Sequence, residues 1–245
     1  MSRVPLALGA LLANLTLAGT AHAAERTLSV PDFTTLEVHG AFNVEVHQDR
    51  RTSVTVIGDP HDLDSVSAEV HSSSADIEAR ELFIDLKPDR WGSAATLHGP
   101  ITIRILVPRL SSAWMLGSGE IHADHLRGSA GTGQAGLKVS GSGLIKIDRI
   151  DADSVDAGVE GPGSMTVAGQ AQQVSLWLDG SGSADFRGLA VKDLKLKVTG
   201  DASVKASASR AATIDASGSG NINVSGQALA CTVHNEGAGI VKCGN

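Results

Sequence analysis

Aromatic residues make up only 3% of this 245-residue chain, and tyrosine is absent altogether. That excludes the stacked aromatic platforms on which single-stranded nucleic acid is held, and it leaves Val, Ile, Leu and Ala to build the core. Positive charge is also short: 20 Lys+Arg stand against 27 Asp+Glu, a formal charge of −7. A phosphate-neutralising footprint needs the opposite balance, so no nucleic-acid partner is expected. Only two cysteines occur. No apolar run after the first 23 residues approaches the ~20 residues that cross a bilayer. No nucleophile elbow, H-E-x-x-H or P-loop is found, and no cofactor is implied. What is present is enough to fold: 42% hydrophobic and 19% charged residues describe a chain that buries a core and is not compositionally disordered.

The N-terminus carries Arg3, an apolar run from Val4 to Ala18, and Ala21-His22-Ala23, an A-x-A cleavage pattern. Residues 1–23 are read as a secretory signal peptide, cleaved near Ala23. No cysteine follows the apolar run, which argues against a lipid anchor. The expected localisation is periplasmic or secreted, with no transmembrane segment in the mature chain.

Glycine-bracketed triplets recur at Gly117-Ser118-Gly119, Gly141-Ser142-Gly143, Gly161-Pro162-Gly163, Gly180-Ser181-Gly182, Gly218-Ser219-Gly220 and Gly237-Ala238-Gly239, with a degenerate copy at Gly200-Asp201-Ala202. The period is about twenty residues. Apolar residues fall four and six places after each first glycine, as in Ile145/Ile147 and Ile222/Val224, and four and two places before the next, as in Leu176/Leu178 and Leu196/Val198. Their neighbours are mostly polar, the period of two that marks a half-buried strand. Each unit reads as strand, short loop, strand, glycine corner. A unit this small cannot bury its apolar face alone, so successive units must stack. The fold expected is all-β: a parallel β-helix, or β-solenoid, over residues 111–245.

Residues 24–110 read as longer strands, Thr35 to His39, Asn43 to His47, Ser53 to Ile57, Val66 to His71, Glu81 to Leu86 and Ile101 to Val107, with no linker before the repeats. One continuous domain, 24–245, is expected. The order Phe42-Asn43-Val44-Glu45-Val46, Val54-Thr55-Val56-Ile57-Gly58, Glu81-Leu82-Phe83-Ile84, Ile101-Thr102-Ile103, Val107-Pro108-Arg109-Leu110 and then Gly-Ser-Gly units resembles the head GIN domain family of auto-transporter adhesins. The resemblance implies a right-handed parallel β-helix in the cell envelope with no assigned enzymatic activity. The chain departs from the adhesin label in lacking a C-terminal stretch that resembles a translocator barrel.

Chemistry-bearing residues are few. His122 and His125 match no trusted zinc spacing, and Asp148, Asp151, Asp153 and Asp156 lack the glycine and spacing of a calcium loop; the latter are read as a solvated loop, and no metal site is expected. Glu160 and Asp179 fall at equivalent places in successive units, about 5 Å apart at strand spacing, which could mimic the carboxylate pair of a polysaccharide lyase or hydrolase. They sit beside glycine corners with no evident cleft. The function expected is therefore an exported cell-envelope binding or adhesin-like structural module without catalysis; the alternative is a carbohydrate-active β-helix enzyme. The candidate ligand site is Trp177 with Asp179 and Lys197: Leu176 and Leu178 face inward, so Trp177 faces out with Lys197 one coil on, where the cation either covers the indole or joins it in holding a sugar. Glycans or other envelope components are the expected partners. Cys231 and Cys243 both occupy inward positions and are expected to form a disulfide in an oxidising compartment.

Overall fold

The structure, a computed structural model, describes residues 23–72, 80–88, 96–226 and 230–244. All but the last residue of the expected signal peptide lies outside these. Twenty strands follow in order: β1 (Ala24–Leu28), β2 (Thr35–Gly40), β3 (Asn43–Gln48), β4 (Ser53–Gly58), β5 (Val66–Ser72), β6 (Arg80–Leu86), β7 (Thr102–Val107), β8 (Ser112–Gly117), β9 (Glu120–Ala123), β10 (Leu126–Arg127), β11 (Gln134–Gly141), β12 (Leu144–Glu160), β13 (Ser164–Gly180), β14 (Ser183–Phe186), β15 (Leu189–Gly200), β16 (Ser203–Ser207), β17 (Ala211–Ser217), β18 (Asn221–Ser225), β19 (Ala230–Asn235) and β20 (Ile240–Cys243). They wind into a β-solenoid of about six turns.

Each coil has two main faces and a short third side. The first face stacks β6, β2, β8, β11, the C-terminal halves of β12 and β13, β15, β17 and β19 in parallel register. The second stacks β7, β3, β9, the N-terminal halves of β12 and β13, β14, β16, β18 and β20. Between them, β10 pairs with residues 150–151 of β12, and the third side continues through Gly169–Ala171 and Leu189–Val191. Alternation decides which side chains fill the coil: in β11 Ala135, Leu137 and Val139 are buried while Lys138 and Ser140 face out. One apolar cluster runs from Phe33 to Val224.

Three features differ from the expectation. The second and third repeat units, opened by Gly141 and Gly161, contain no loop between their strands. β12 and β13 are continuous for 17 residues each. A register shift between Ile147 and Ile150 turns the chain without breaking the ladder. The acidic run from Asp148 to Asp156 therefore lies on a strand rather than in a loop. Second, the N-terminal strands are not a preface to the solenoid but part of it, threaded out of order. β2 lies between β6 and β8, and β3 between β7 and β9. Beyond them β4 runs antiparallel to β7, β1 antiparallel to β4, and β5 antiparallel to β6. These antiparallel strands close that end of the coil and protect its edge.

Third, the opposite end carries the expected disulfide, but the strand that bears one of its cysteines is exposed rather than buried. Cys231 on β19 and Cys243 on β20 are bridged, with Cα atoms 6.2 Å apart. They do continue the inward rows, aligned with buried Ala212 and Val224. No further coil covers them, however, and every residue of β19 is exposed, so Cys231 is not buried as the repeat frame implied. Closing a loop of separation 12 is worth about 3 kcal/mol. In a stacked array that energy belongs chiefly to the last coil. Reduction is expected to speed amide exchange of residues 230–243 at least tenfold while the main melting transition moves little, as read by hydrogen-exchange mass spectrometry.

Candidate functional site

The outward residues of the first face form straight rows because the strands are in register. One row reads Glu37, Trp114, Lys138, Gly158, Trp177, Lys197 along successive strands. The adjacent row carries Ser140, Glu160, Asp179 and Thr199. The structure thus brings Trp177, Asp179 and Lys197 onto one surface: Trp177 is half-buried, whereas Asp179 and Lys197 are exposed.

The indole does not lean toward Lys197, as the sequence suggests. A Cβ placed on Gly158 would fall 2.2 Å from indole Cε2 and Cζ2, so the ring occupies the slot that the missing side chain leaves on the preceding coil. Its cation is Lys138, whose Nζ lies 5.8 Å from the ring centroid. Lys138 in turn is held by Glu160 at 3.3 Å, and Ser140 Oγ donates to Glu160 Oε2 at 3.2 Å. Glu160 and Asp179 do stand opposite one another in neighbouring strands. The contacts to Lys138 and Ser140, though, make Glu160 part of the support of the tryptophan surface. Trp114, missed in the sequence, stands beside Lys138 on the other side. It lies three places before Gly117, the same offset as Trp177 before Gly180, and that offset was the available signal.

At the end of the same face lies a carboxyl pair with no local sequence signal. Glu81 and Glu37 meet because β6 stacks on β2. Burial, followed by the hydrogen bond and charge of Glu37, pushes the Glu81 carboxyl up to about 7. Glu37 itself is 9% exposed and its Oε1 is hydrogen-bonded to His39 Nε2. The rings of His39 and His71 flank Phe83 at 6.2 and 4.8 Å between centroids. An acid whose folded value is raised gives up its proton more readily when unfolded. Stability from Glu81 is therefore full below its ordinary 4.5 and is lost as pH rises toward about 7. Glu81→Gln is expected to gain on the parent in thermal melts as pH is raised from 5 to 8, and to show no such gain below 4.5.

His122 and His125 are occupied elsewhere. Each is paired with an aspartate on β12, His122 with Asp148 at 2.7 Å and His125 with Asp151 at 2.9 Å. The guanidinium of Arg149, then His125 and Gln170, hold the Asp151 carboxyl below its ordinary range. Among the described residues no three His, Cys, Asp or Glu side chains are grouped to hold a metal ion, and no helix is long and apolar enough to cross a membrane.

A coiled sheet that displays ordered rows of side chains on flat faces defines a β-solenoid. Residues 32–228 match the family described as "Putative auto-transporter adhesin, head GIN domain", and the chain belongs to that family. Three solved structures share the fold. A protein of Bacteroides fragilis NCTC 9343 described as a putative adhesin has a TM-score of 0.72 at 18% identity, covering 90% of this chain and 96% of its own. One of Parabacteroides distasonis ATCC 8503, described as a putative lipid binding protein, has 0.69 at 16%, covering 91% and 97%. A third, from Parabacteroides merdae ATCC 43184 and described as a putative adhesin, has 0.64 at 20%, covering 91% and 96%. No curated protein matches. The disulfide-bonded last coil, β19 and β20, lies beyond the matched residues.

Proposed function

We propose that this protein is an exported, adhesin-like binding module of the cell envelope, without catalytic activity, whose first face holds envelope glycans. The observation that carries this reading is the half-exposed indole of Trp177, seated over Gly158 and braced by Lys138. A sugar stacks its apolar face on an indole, while Asp179, Lys197 and Thr199 beside it offer one acceptor, one donor and a hydroxyl. Family membership and the adhesin descriptions of two of the structural neighbours support it. The export signature at residues 1–23 supports the compartment. The engagement of Glu160 by Lys138 and Ser140 supports binding over hydrolysis.

The test is a glycan array and an envelope pull-down with the purified protein, repeated on variants. Trp177→Ala is expected to weaken capture about tenfold or more, equivalent to at least ~1.4 kcal/mol. Lys205→Ala, exposed on β16 of the other face, is expected to bind as the parent does. Unchanged capture by Trp177→Ala would remove this face from consideration.

A further inference from the structure

The third side of the solenoid carries a trough of about 1070 Å³ that the tryptophan face does not use. Its walls and floor come from six successive levels: Gly128 to Gly133, Asp151 to Asp153, Gln170 to Gln172, Ala190 to Lys192, Ser207 to Ser209, and Gly226. At strand spacing those levels span roughly 25 Å. The cavity is therefore long and narrow, the shape of an extended chain rather than of a compact cofactor.

Two properties of the lining narrow the ligand. The main chain beneath is already paired: Gly169 N–H donates to Gly188 O, Ser209 N–H to Val191 O and Ala208 N–H to Ser225 O. An extended peptide laid along the trough would leave its own N–H and C=O groups unmatched there. The amide of Gln172 and the side-chain carbonyl of Gln170, exposed on the rim, suit separate hydroxyl groups instead; the Gln170 Nε2 is given to Asp151. An extended pyranose chain advances by roughly one strand spacing per ring, so its hydroxyls meet a fresh coil at each step.

The charges are arranged for one acidic group and not for many. Asp153 and Lys192 stand exposed on the rim as one charge of each sign, and Asp151 is engaged by His125, Arg149 and Gln170. Arg109, at the Gly128 end, differs. Its Nη2 donates to Gly128 O, and its Nε is buried with no hydrogen-bond partner. Among the described residues no carboxylate forms an ion pair with it. Arg109 as a whole is only partly buried and lines the trough, and a carboxylate is the group that a guanidinium fits.

We propose that this trough is a binding site for an extended oligosaccharide bearing a single carboxylate, which Arg109 receives. The site is separate from the tryptophan face and does not depend on it. The probes are cellopentaonic acid, which ends in a carboxylate, neutral cellopentaose, and an extended neutral-side-chain peptide with a free C-terminal carboxylate, each titrated by calorimetry into the purified protein. The acid is expected to bind at least tenfold more tightly than the neutral oligomer. Arg109→Gln should abolish that preference. Because Arg109 is partly buried, the second variant is Ala190→Trp, on an exposed position inside the trough, which should block all binding while leaving the melting temperature unchanged. Trp177→Ala should bind the acid as the parent does; loss of trough binding there would overturn the separation of the two sites. Failure of the acid to bind, equal binding of acid and neutral oligomer, undiminished binding by Ala190→Trp, or binding of the peptide in preference to the acid would each overturn the proposal.

Discussion

Gly218→Ala is expected to destabilise the solenoid by about 3 kcal/mol or more, against less than about 0.5 kcal/mol for Lys205→Ala on an exposed strand position. Gly218 has φ +127°, and a Cβ there would fall 2.1 Å from the carbonyl oxygen of Gly200 and 2.7 Å from its carbon. The obstruction is the backbone of the preceding coil, which no rotamer change relieves. The left-handed strain and the collision therefore act together, and the coil must either shift or open. Urea unfolding of the two variants checks this; equal midpoints would mean that the corners are not packed backbone on backbone.

Phe186→Ala should cost about 3 to 5 kcal/mol. Phe186 is fully buried at the end of β14, and the residue stacked on it in the next coil is Ala206, also buried. With only a methyl group as its neighbour in that next coil, the space vacated by the ring is poorly filled by collapse from that side. Ile222→Val, two levels along the same face, removes one methylene from a fully buried position and should cost only about 0.5 to 1.5 kcal/mol. Thermal melts of both variants against the parent give the comparison. A Phe186→Ala loss as small as that of Ile222→Val would show that the coil interior is loose enough to refill the cavity.

The strands were legible in the sequence because alternation over a few residues encodes which side chains face inward. Asn43 to His47 is read from Val44 and Val46, and the observed strand is Asn43–Gln48; the same reasoning correctly turns Trp177 outward from Leu176 and Leu178. Alternation does not encode which strand lies alongside which. In the repeats the neighbour is simply the next unit, so the pairing of Trp177 with Lys197 and of Glu160 with Asp179 followed from counting. It did not reveal that the indole would lean back into the gap above Gly158, because rotamer choice depends on the volume left by the opposing residue. In the N-terminal part counting fails altogether: nothing near Glu37 announces Glu81, and the carboxyl pair exists only because β6 and β7 are inserted beside β2 and β3. β1, whose Ala24–Leu28 segment shows only partial burial on one side, carries too weak an apolar alternation to be read as a strand.

That insertion also sets an order in time. Thr35–Gln48 is made early, yet its two flanking coils are not complete until Val107 and Ala123 have followed. Until then both edges of β2 and β3 stand open, and ring closure must span long stretches of chain. From β11 onward each new coil meets a finished neighbour at once, across loops of about one repeat. β2 and β3 therefore wait far longer after their own synthesis for both neighbours than any strand from β11 onward does.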